Sequence, residues 1–368
     1  MFTSQTSSFQ ESIDVEERDA DFDNEEIAGY SQNIQQINSY YAIYYYQNTS
    51  LTLLDASLPA EAEPELRSYI SRRLSKGALL GGMGNIATVE LSVPEQAVGC
   101  YCCLLEQEKS PEQPEADGNG WVVIFNTFSL TLQTFRIELD KYVQGLQGCL
   151  TPEMQNLETE VRPYLNRWYE ESVMHIHRVV QLLQANVGYL LHAALSHKLF
   201  EVTGTDEKTK ADIARFIKAA SLQGLVQQDT TAASLCKAIS EDSHTSLIID
   251  CSTSPPTLTN KVSNRFCDDW IQAFLKAAER FNPFLLCQIL ENFKLKAIQD
   301  MNNLKRFIRQ AEMSHYALFH CCLFLQSSGN GDVLLQNAWA EHSSLPEACG
   351  IITVLEEFLG EHAQGTLY

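Results

Sequence analysis

The order of strand-like and helix-like patterns in the first half of the chain constrains the fold more than any other feature. Ser39–Gln47 is rich in aromatic residues and predicts a strand, and Ser50–Leu58 predicts a second strand. Apolar residues at helical spacing then predict a helix over Glu65–Ala78. Three more strands and another helix are predicted over Ile86–Val93, Val98–Leu105, Trp121–Phe128 and Thr131–Gly148.

This order is that of a longin-type domain, an antiparallel five-stranded sheet flanked by helices. We therefore predict a longin-like α/β domain over residues 37–150. From Thr151 on, the pattern is mostly helical, so residues 151–368 are predicted to form an α-helical domain with one short strand at Leu247–Cys251. The predicted fold class is α+β.

The longest periodic run lies between Pro283 and Leu325. Its apolar residues recur every three or four positions, and His315 falls on the same side as they do. The run predicts either one long helix or two helices broken near Asp300–Asn303, with His315 at or near the core.

The net charge of −21 is unevenly distributed, because Glu11–Glu26 holds nine acids and only one base, Arg18. A segment this acidic buries too little apolar surface to offset its chain entropy, so residues 1–36 are predicted to be a disordered tail. The tail is interpreted as solubilising, with a regulated docking segment as the alternative. Because the negative charge of the chain repels the phosphate groups of nucleic acids, no nucleic-acid partner is expected.

The chain has eleven cysteines, and its first residues, MFTSQTSSFQ, lack the basic and apolar regions of a secretory signal. No stretch approaches the roughly 20 apolar residues needed to span a bilayer. We therefore expect a cytoplasmic protein without a transmembrane segment, whose cysteines are mostly buried, reduced thiols.

Motifs that would indicate catalysis or cofactor binding are missing. There is no Gly-x-Ser-x-Gly turn and no kinase signature. His175 and His177 lie on different sides of a predicted helix, and no second cluster completes a metal site with Cys100, Cys102 and Cys103. We expect no enzyme activity, cofactor or metal. An enzyme whose site is assembled from distant residues is the alternative, and it requires a pocket with perturbed ionisable groups.

A cluster of bases stands out against the acidic background, at Lys294, Lys296, Lys305, Arg306 and Arg309. The spacing of eleven residues between Lys294 and Lys305 is close to three helical turns. These two residues therefore lie on one side of the predicted helix, together with Arg309. One interpretation is a solvated face whose bases pair with acids of the same chain. The other is a partner-docking stripe for an acidic protein segment or an anionic lipid surface.

Several long segments resemble a known family. They are EAEPELRSYISRRLSKGA (61–78), GNIATVELSVP (84–94), ELDKYVQGL (138–146), LLHAALSH (190–197), DEKTKADIARFIKAASLQGL (206–225), SNRFCDDWIQAFL (263–275) and ENFKLKAIQDMNNLKRFIRQAEMSHYALF (291–319). Through these segments the chain resembles the vertebrate Njmu-R family over nearly all of its length beyond the acidic tail.

The resemblance implies a subunit of a three-subunit complex at the trans-Golgi network, on which cytoplasmic vesicles are captured. The implied partners are a WD-repeat scaffold protein and a third subunit, and indirectly golgin tethers and a TBC-domain bridging protein. The captured vesicles are implied to come from endosomes and to carry AP-one-type coats. Membrane association is implied to be peripheral, through these partners, and the family is linked with spermatogenesis. The resemblance implies no catalytic or ligand-binding residues.

Regulation of a small GTPase through the longin-like domain is the alternative function.

Overall fold

The computed structural model describes residues 39–79, 81–91, 96–107, 119–127, 132–150, 155–222, 246–342 and 345–365. The predicted acidic tail, residues 1–36, lies outside the described residues. Five antiparallel strands form the first sheet, in the order β2-β1-β5-β4-β3. The strands are β1 (Ser39–Gln47), β2 (Ser50–Ala56), β3 (Asn85–Leu91), β4 (Gln96–Glu106) and β5 (Gly120–Thr127).

A two-residue turn joins β1 to β2. Asn48 and Thr49 both have positive φ, 50° and 66°, and Gln47 pairs with Ser50 across the turn. Two successive positive φ values are typical of the type I′ turn, whose twist matches that of the strands on either side. The turn fixes the register of the hairpin and therefore which residues of β1 face each side of the sheet.

Helix α1 (Glu63–Ser75) covers one face of this sheet. Its buried residues Leu66 and Ile70 belong to one apolar cluster with Tyr44 of β1 and with Val122 and Ile124 of β5. Acidic residues in the first turn and arginines in the last turn match the polarity of the helix dipole. Helix α1 and strands β1 and β5, all of which the sequence predicts, therefore share one apolar core.

The other face of the sheet packs against helices α2 (Arg136–Gln144), α3 (Arg162–Asn166) and α4 (Trp168–Ser172). Phe125 of β5 stacks on Trp168, with ring centroids 4.8 Å apart, and meets Tyr142 edge-on at 6.0 Å. Because both faces are covered, every residue of β5 is buried.

The second half is mostly helical, with the chain entering three of its helices through side-chain caps. Asp206, Asn264 and Asn282 each accept a hydrogen bond from the backbone N–H three residues on, at 2.9–3.0 Å. The helices are α5 (His175–Leu183), α6 (Val187–Leu195), α7 (Glu207–Ala220), α8 (Arg265–Glu279), α9 (Pro283–Ala311), α10 (His315–Ser328), α11 (Gly331–His342) and α12 (Pro346–Gly365).

A second, three-stranded sheet lies within this helical half. Strand β7 (Leu247–Asp250) runs parallel to β6 (Phe200–Thr203) and antiparallel to β8 (Thr257–Thr259). The sequence patterns predicted β7, whereas β6 and β8 were not predicted. Each of these is only three or four residues long, and its hydrogen bonds come from a strand that is distant in sequence or across a turn.

Neither predicted alternative for Pro283–Leu325 holds, because α9 passes Asp300–Asn303 without a break but ends at Ala311, before Leu325. The buried carboxylate of Asp300 accepts a hydrogen bond from Lys296 Nζ, one turn earlier, at 3.0 Å. This bond joins two side chains of the same helix, one turn apart, and is compatible with a continuous helical backbone. The break falls at Glu312–Ser314, after which the extended Ser314 leads into α10.

The predicted fold class is confirmed: a five-stranded antiparallel sheet with flanking helices precedes a mostly helical second half. The predicted domain boundary at residue 150 stays a prediction. Among the residues that the model describes, none of the helices combines the length and apolarity required to cross a bilayer.

Candidate functional site

A cleft of about 870 Å³ lies between α2 and the helical half, bordered by α4, α5, α7 and α9. Its walls carry many ionisable side chains of both signs. The basic ones are Arg136, Lys141, Arg215, Lys218 and Lys294, and the acidic ones are Glu138, Asp140, Glu171 and Glu291. If the chain were an enzyme, its active site would be expected in a cleft of this kind.

Several opposite charges in the cleft pair with one another, and others bond to neutral groups. Lys294 Nζ lies 2.6 Å from Glu291 Oε1, and Arg215 Nη1 donates to the backbone oxygen of Glu171 at 2.8 Å. Asp140 accepts hydrogen bonds from the Tyr101 hydroxyl and the Gly84 N–H, at 2.7 and 2.9 Å. The bonds of Arg215 and Asp140 join α7 to α4 and α2 to the first sheet, while the Lys294–Glu291 pair lies within α9.

His175 of α5 is the one imidazole among the described residues that line the cleft, and no cysteine lines it. Burial lowers the pKa of His175 to about 4; nearby Asp212 opposes the shift, while Arg215 and Arg178 add to it. A base with so low a pKa removes protons poorly at neutral pH. The described part of the cleft therefore holds no cysteine nucleophile and no strong imidazole base.

The low pKa of His175 predicts a pH-dependent stability. The folded state keeps the ring neutral while the unfolded state binds a proton near pH 6.5, so stability is fully present above pH 6.5 and falls from there toward pH 4. Between pH 7 and pH 5 we expect a loss of about 2 kcal/mol from this group. Urea unfolding at both pH values measures it, and His175→Gln is expected to reduce the difference.

An exposed histidine supplies the control for this prediction. His320→Gln removes an imidazole from the surface of α10 and is expected to leave the pH dependence unchanged. An equal pH dependence in the wild type and in His175→Gln would contradict the assignment to His175.

The bases of the predicted docking stripe lie along α9 but contact different elements. The Lys294 side chain is only 13% exposed and pairs with Glu291, while Lys305 Nζ lies 2.7 Å from Glu341 Oε2 of α11. Arg309 is exposed and has no ion-pair partner within the described residues. Two of the three residues thus engage acids of their own chain, and a partner-docking role for Lys294, Lys305 and Arg309 stays a prediction.

The outer side of α10 presents a row of large apolar residues to solvent. Tyr316, Phe319 and Leu323 are 72%, 53% and 42% exposed and are spaced so that they fall on one helical side. We call these three residues the α10 stripe. His315 is also exposed, so its predicted place at or near the core is wrong.

The opposite side of α10 packs into the core of the helical half. Cys321, Cys322 and Leu325 join Leu304 and Ile308 of α9 in one apolar cluster. Phe324 of α10 meets Phe307 of α9 with ring centroids 5.2 Å apart. Helix α10 is therefore held firmly from one side, and the α10 stripe projects from a rigid support.

The α10 stripe was not predicted as a site, although the sequence contains a signal for it. No charged residue occurs between His315 and Ser328, while a helix on a protein surface normally carries charges on its outer side. The predicted apolar side of this run held His315, Leu318, Cys322 and Leu325, whereas Tyr316, Phe319 and Leu323 received no prediction.

Comparison with known proteins places the chain in a family. The model of the Njmu-R1-like protein family matches residues 28–361. Protein Njmu-R1 of Mus musculus is 55% identical over 318 residues, which cover 85% of this chain and 81% of the mouse protein. The match includes the sheet, the cleft and α10, and it is much longer than any single motif. The chain belongs to the Njmu-R1-like protein family.

Proposed function

We propose that this chain is a non-enzymatic subunit of a trans-Golgi complex that captures endosome-derived transport vesicles together with golgin tethers. Its direct partners in the proposal are a WD-repeat scaffold protein and a third subunit, and a TBC-domain bridging protein takes part indirectly. The chain itself is cytoplasmic and reaches trans-Golgi membranes and cytoplasmic vesicles through these partners. The membership of the family supports the proposal, since the vesicle role is what the family resemblance implies.

The observation that carries the docking part of the proposal is the exposed α10 stripe. Monomeric proteins rarely leave contiguous large apolar residues in water, and such patches mark surfaces that other molecules cover. The cleft gives the enzyme alternative little support, because several of its charges pair with one another and the pKa of His175 is about 4. The geometry thus favours a chain that works by binding other proteins.

Affinity purification of the tagged full-length chain from cells, with quantitative mass spectrometry, tests the proposal. We expect a WD-repeat protein and one further subunit in near one-to-one ratio with the bait. Depletion of the chain is expected to leave endosome-derived cargo in vesicles scattered through the cytoplasm, and re-expression of the wild type is expected to restore its delivery. A chain that recovers no stoichiometric partner, or that turns over a small molecule unaided, contradicts the proposal.

A further inference from the structure

The end of helix α1 is a basic segment in an acidic chain. Arg67–Lys76 holds four bases and no acid, although the whole chain has a net charge of −21. The segment includes Arg72 and Arg73, the only two adjacent arginines in the sequence. Bases in the last turn suit the helix dipole, but the dipole accounts only for their sign and not for the serine that follows them.

That serine, Ser75, is the last residue of α1 and is exposed. It is the only serine or threonine of the chain with an arginine three residues before it. Its hydroxyl donates to the backbone oxygen of Arg72 at 3.1 Å, a bond that water replaces at little cost on the surface. A hydroxyl that follows two arginines in this way fits the substrate cleft of a basophilic protein kinase, whose acids bind arginines two and three residues before the acceptor.

Arg72 and Lys76 are exposed on either side of this hydroxyl in the sequence. Neither has an ion-pair partner within the described residues, whereas Arg67 of the same helix pairs with Glu63 at 2.8 Å. Residues three apart are neighbours on a helix, so Arg72 lies on the same side of α1 as Ser75. A phosphate on Ser75 therefore has a guanidinium beside it, whose charge-assisted bonds offset repulsion from the carbonyl end of the helix.

The second arginine of the pair is held by the first sheet. Arg73 Nε donates to the Tyr69 hydroxyl and Arg73 Nη2 donates to Asn85 Oδ1 of β3, both at 3.0 Å. A kinase binds its substrate segment in an extended form, so Arg73 has to leave Asn85 before the cleft of a kinase receives it. The last turn of α1 opens at low cost, because the helix ends there and Gly77 follows with a positive φ of 61°. The bond from Arg73 to Asn85 therefore limits access to Ser75.

We propose that Ser75 is phosphorylated by a basophilic protein kinase that recognises Arg72 and Arg73, with ATP as the donor. The Ser75 oxygen attacks the γ-phosphorus of ATP and forms the new O–P bond. The bond between that phosphorus and the oxygen bridging to the β-phosphorus breaks, ADP leaves, and the hydroxyl proton passes to the catalytic aspartate of the kinase. The inference goes beyond the proposed function and does not depend on it, since it rests on α1 and β3 alone.

Phosphorylation of the purified, folded full-length chain tests the inference. The chain is incubated with magnesium, ATP and the catalytic subunit of cyclic-AMP-dependent protein kinase, and the modified residue is identified by tandem mass spectrometry. We expect phosphate on Ser75, none at this helix in Ser75→Ala, and a rate roughly ten- to a hundredfold lower in Arg72→Gln, since one charged contact with the kinase is lost. The matched control is Ser71→Ala, an exposed serine one turn earlier on α1, which is expected to leave the rate unchanged.

A variant of β3 tests the part of the inference that depends on the fold. Asn85→Ala removes one acceptor of Arg73 and is expected to raise the initial rate about two- to tenfold, the effect of one neutral hydrogen bond. Thr88→Ala, at an exposed position of the same strand, is the control and is expected to leave the rate unchanged. Equal rates for the wild type and Asn85→Ala overturn the role of the Arg73–Asn85 bond.

The chain recovered from cells decides whether the site is used. After treatment of the cells with a broad inhibitor of serine/threonine phosphatases, we expect the peptide that contains Ser75 to carry phosphate. Its absence overturns the inference even where the purified kinase modifies the chain. Phosphate that appears in vitro only after urea unfolds the chain overturns it as well. Unfolding temperatures within about 2 °C of the wild type confirm that the exposed substitutions leave the fold intact.

Discussion

Trp168→Ala is expected to lower the free energy of unfolding by about 3–5 kcal/mol. The indole is buried and stacks on Phe125 of β5, with 4.8 Å between ring centroids and 18° between ring planes. Phe125 in turn stacks on Tyr101 of β4 at 5.8 Å. Truncation leaves a cavity where α4 covers the sheet, and a rigid core closes such a cavity only in part.

One feature of Trp168 reduces this cost. Its indole Nε1 is buried without a hydrogen-bond partner among the described residues, so the native state leaves a polar group unsatisfied there. Alanine removes this group together with the ring, which places the expected loss toward the lower end of the range. Trp168→Phe keeps a ring against Phe125 and also removes the N–H, and we expect it to cost only about 1–2 kcal/mol.

Urea unfolding followed by circular dichroism measures these changes. Phe319→Ala is the control, because it truncates an aromatic residue that is half exposed and is expected to change stability by no more than about 0.5 kcal/mol. A loss below about 1 kcal/mol for Trp168→Ala would show that the second face of the sheet does not depend on this stack.

The first sheet could be predicted from sequence because its information is local. Aromatic and β-branched runs mark the strands, as in Ser39–Gln47. All five strands were predicted, and each observed end lies within two residues of the predicted one. Strands β6 and β8 have no such local signal, because Phe200–Thr203 becomes a strand only by pairing with Leu247–Asp250 far along the chain.

The candidate site was predictable only in part, because exposure is a property of packing. Helical spacing correctly placed Lys294, Lys305 and Arg309 on one helix, but it carried no information on the neighbours that pair with the first two. The same limit applies to Phe319 and Leu323, whose apolar character is visible in the sequence while the absence of a described neighbour over them is not. Sequence patterns specify which residues can be buried, and the arrangement of elements decides which of them are.

Asp212→Ala is expected to cost about 2–4 kcal/mol, the other large effect on stability. The Arg178 guanidinium on α5 donates to both carboxylate oxygens of Asp212 on α7, at 2.7 and 2.9 Å. The Asp212 side chain is 5% exposed and that of Arg178 is 25% exposed, so water replaces the lost carboxylate poorly. Glu170 Oε2, 2.9 Å from Arg178 Nη1, still neutralises part of the stranded charge, which keeps the cost below that of a fully isolated ion.

Two further variants show whether the loss comes from the stranded charge or from the pair itself. Asp212→Leu combined with Arg178→Met replaces both ions by apolar groups and is expected to recover most of the stability, because desolvation of the two charges offsets much of their attraction. The control is Glu207→Ala on the same helix, which breaks an exposed pair with Lys210 at 2.7 Å and is expected to cost less than about 1 kcal/mol. Urea unfolding of the four proteins measures the differences. Equal losses for Asp212→Ala and Glu207→Ala would mean that the Arg178–Asp212 contact holds α5 to α7 no more strongly than a surface ion pair does.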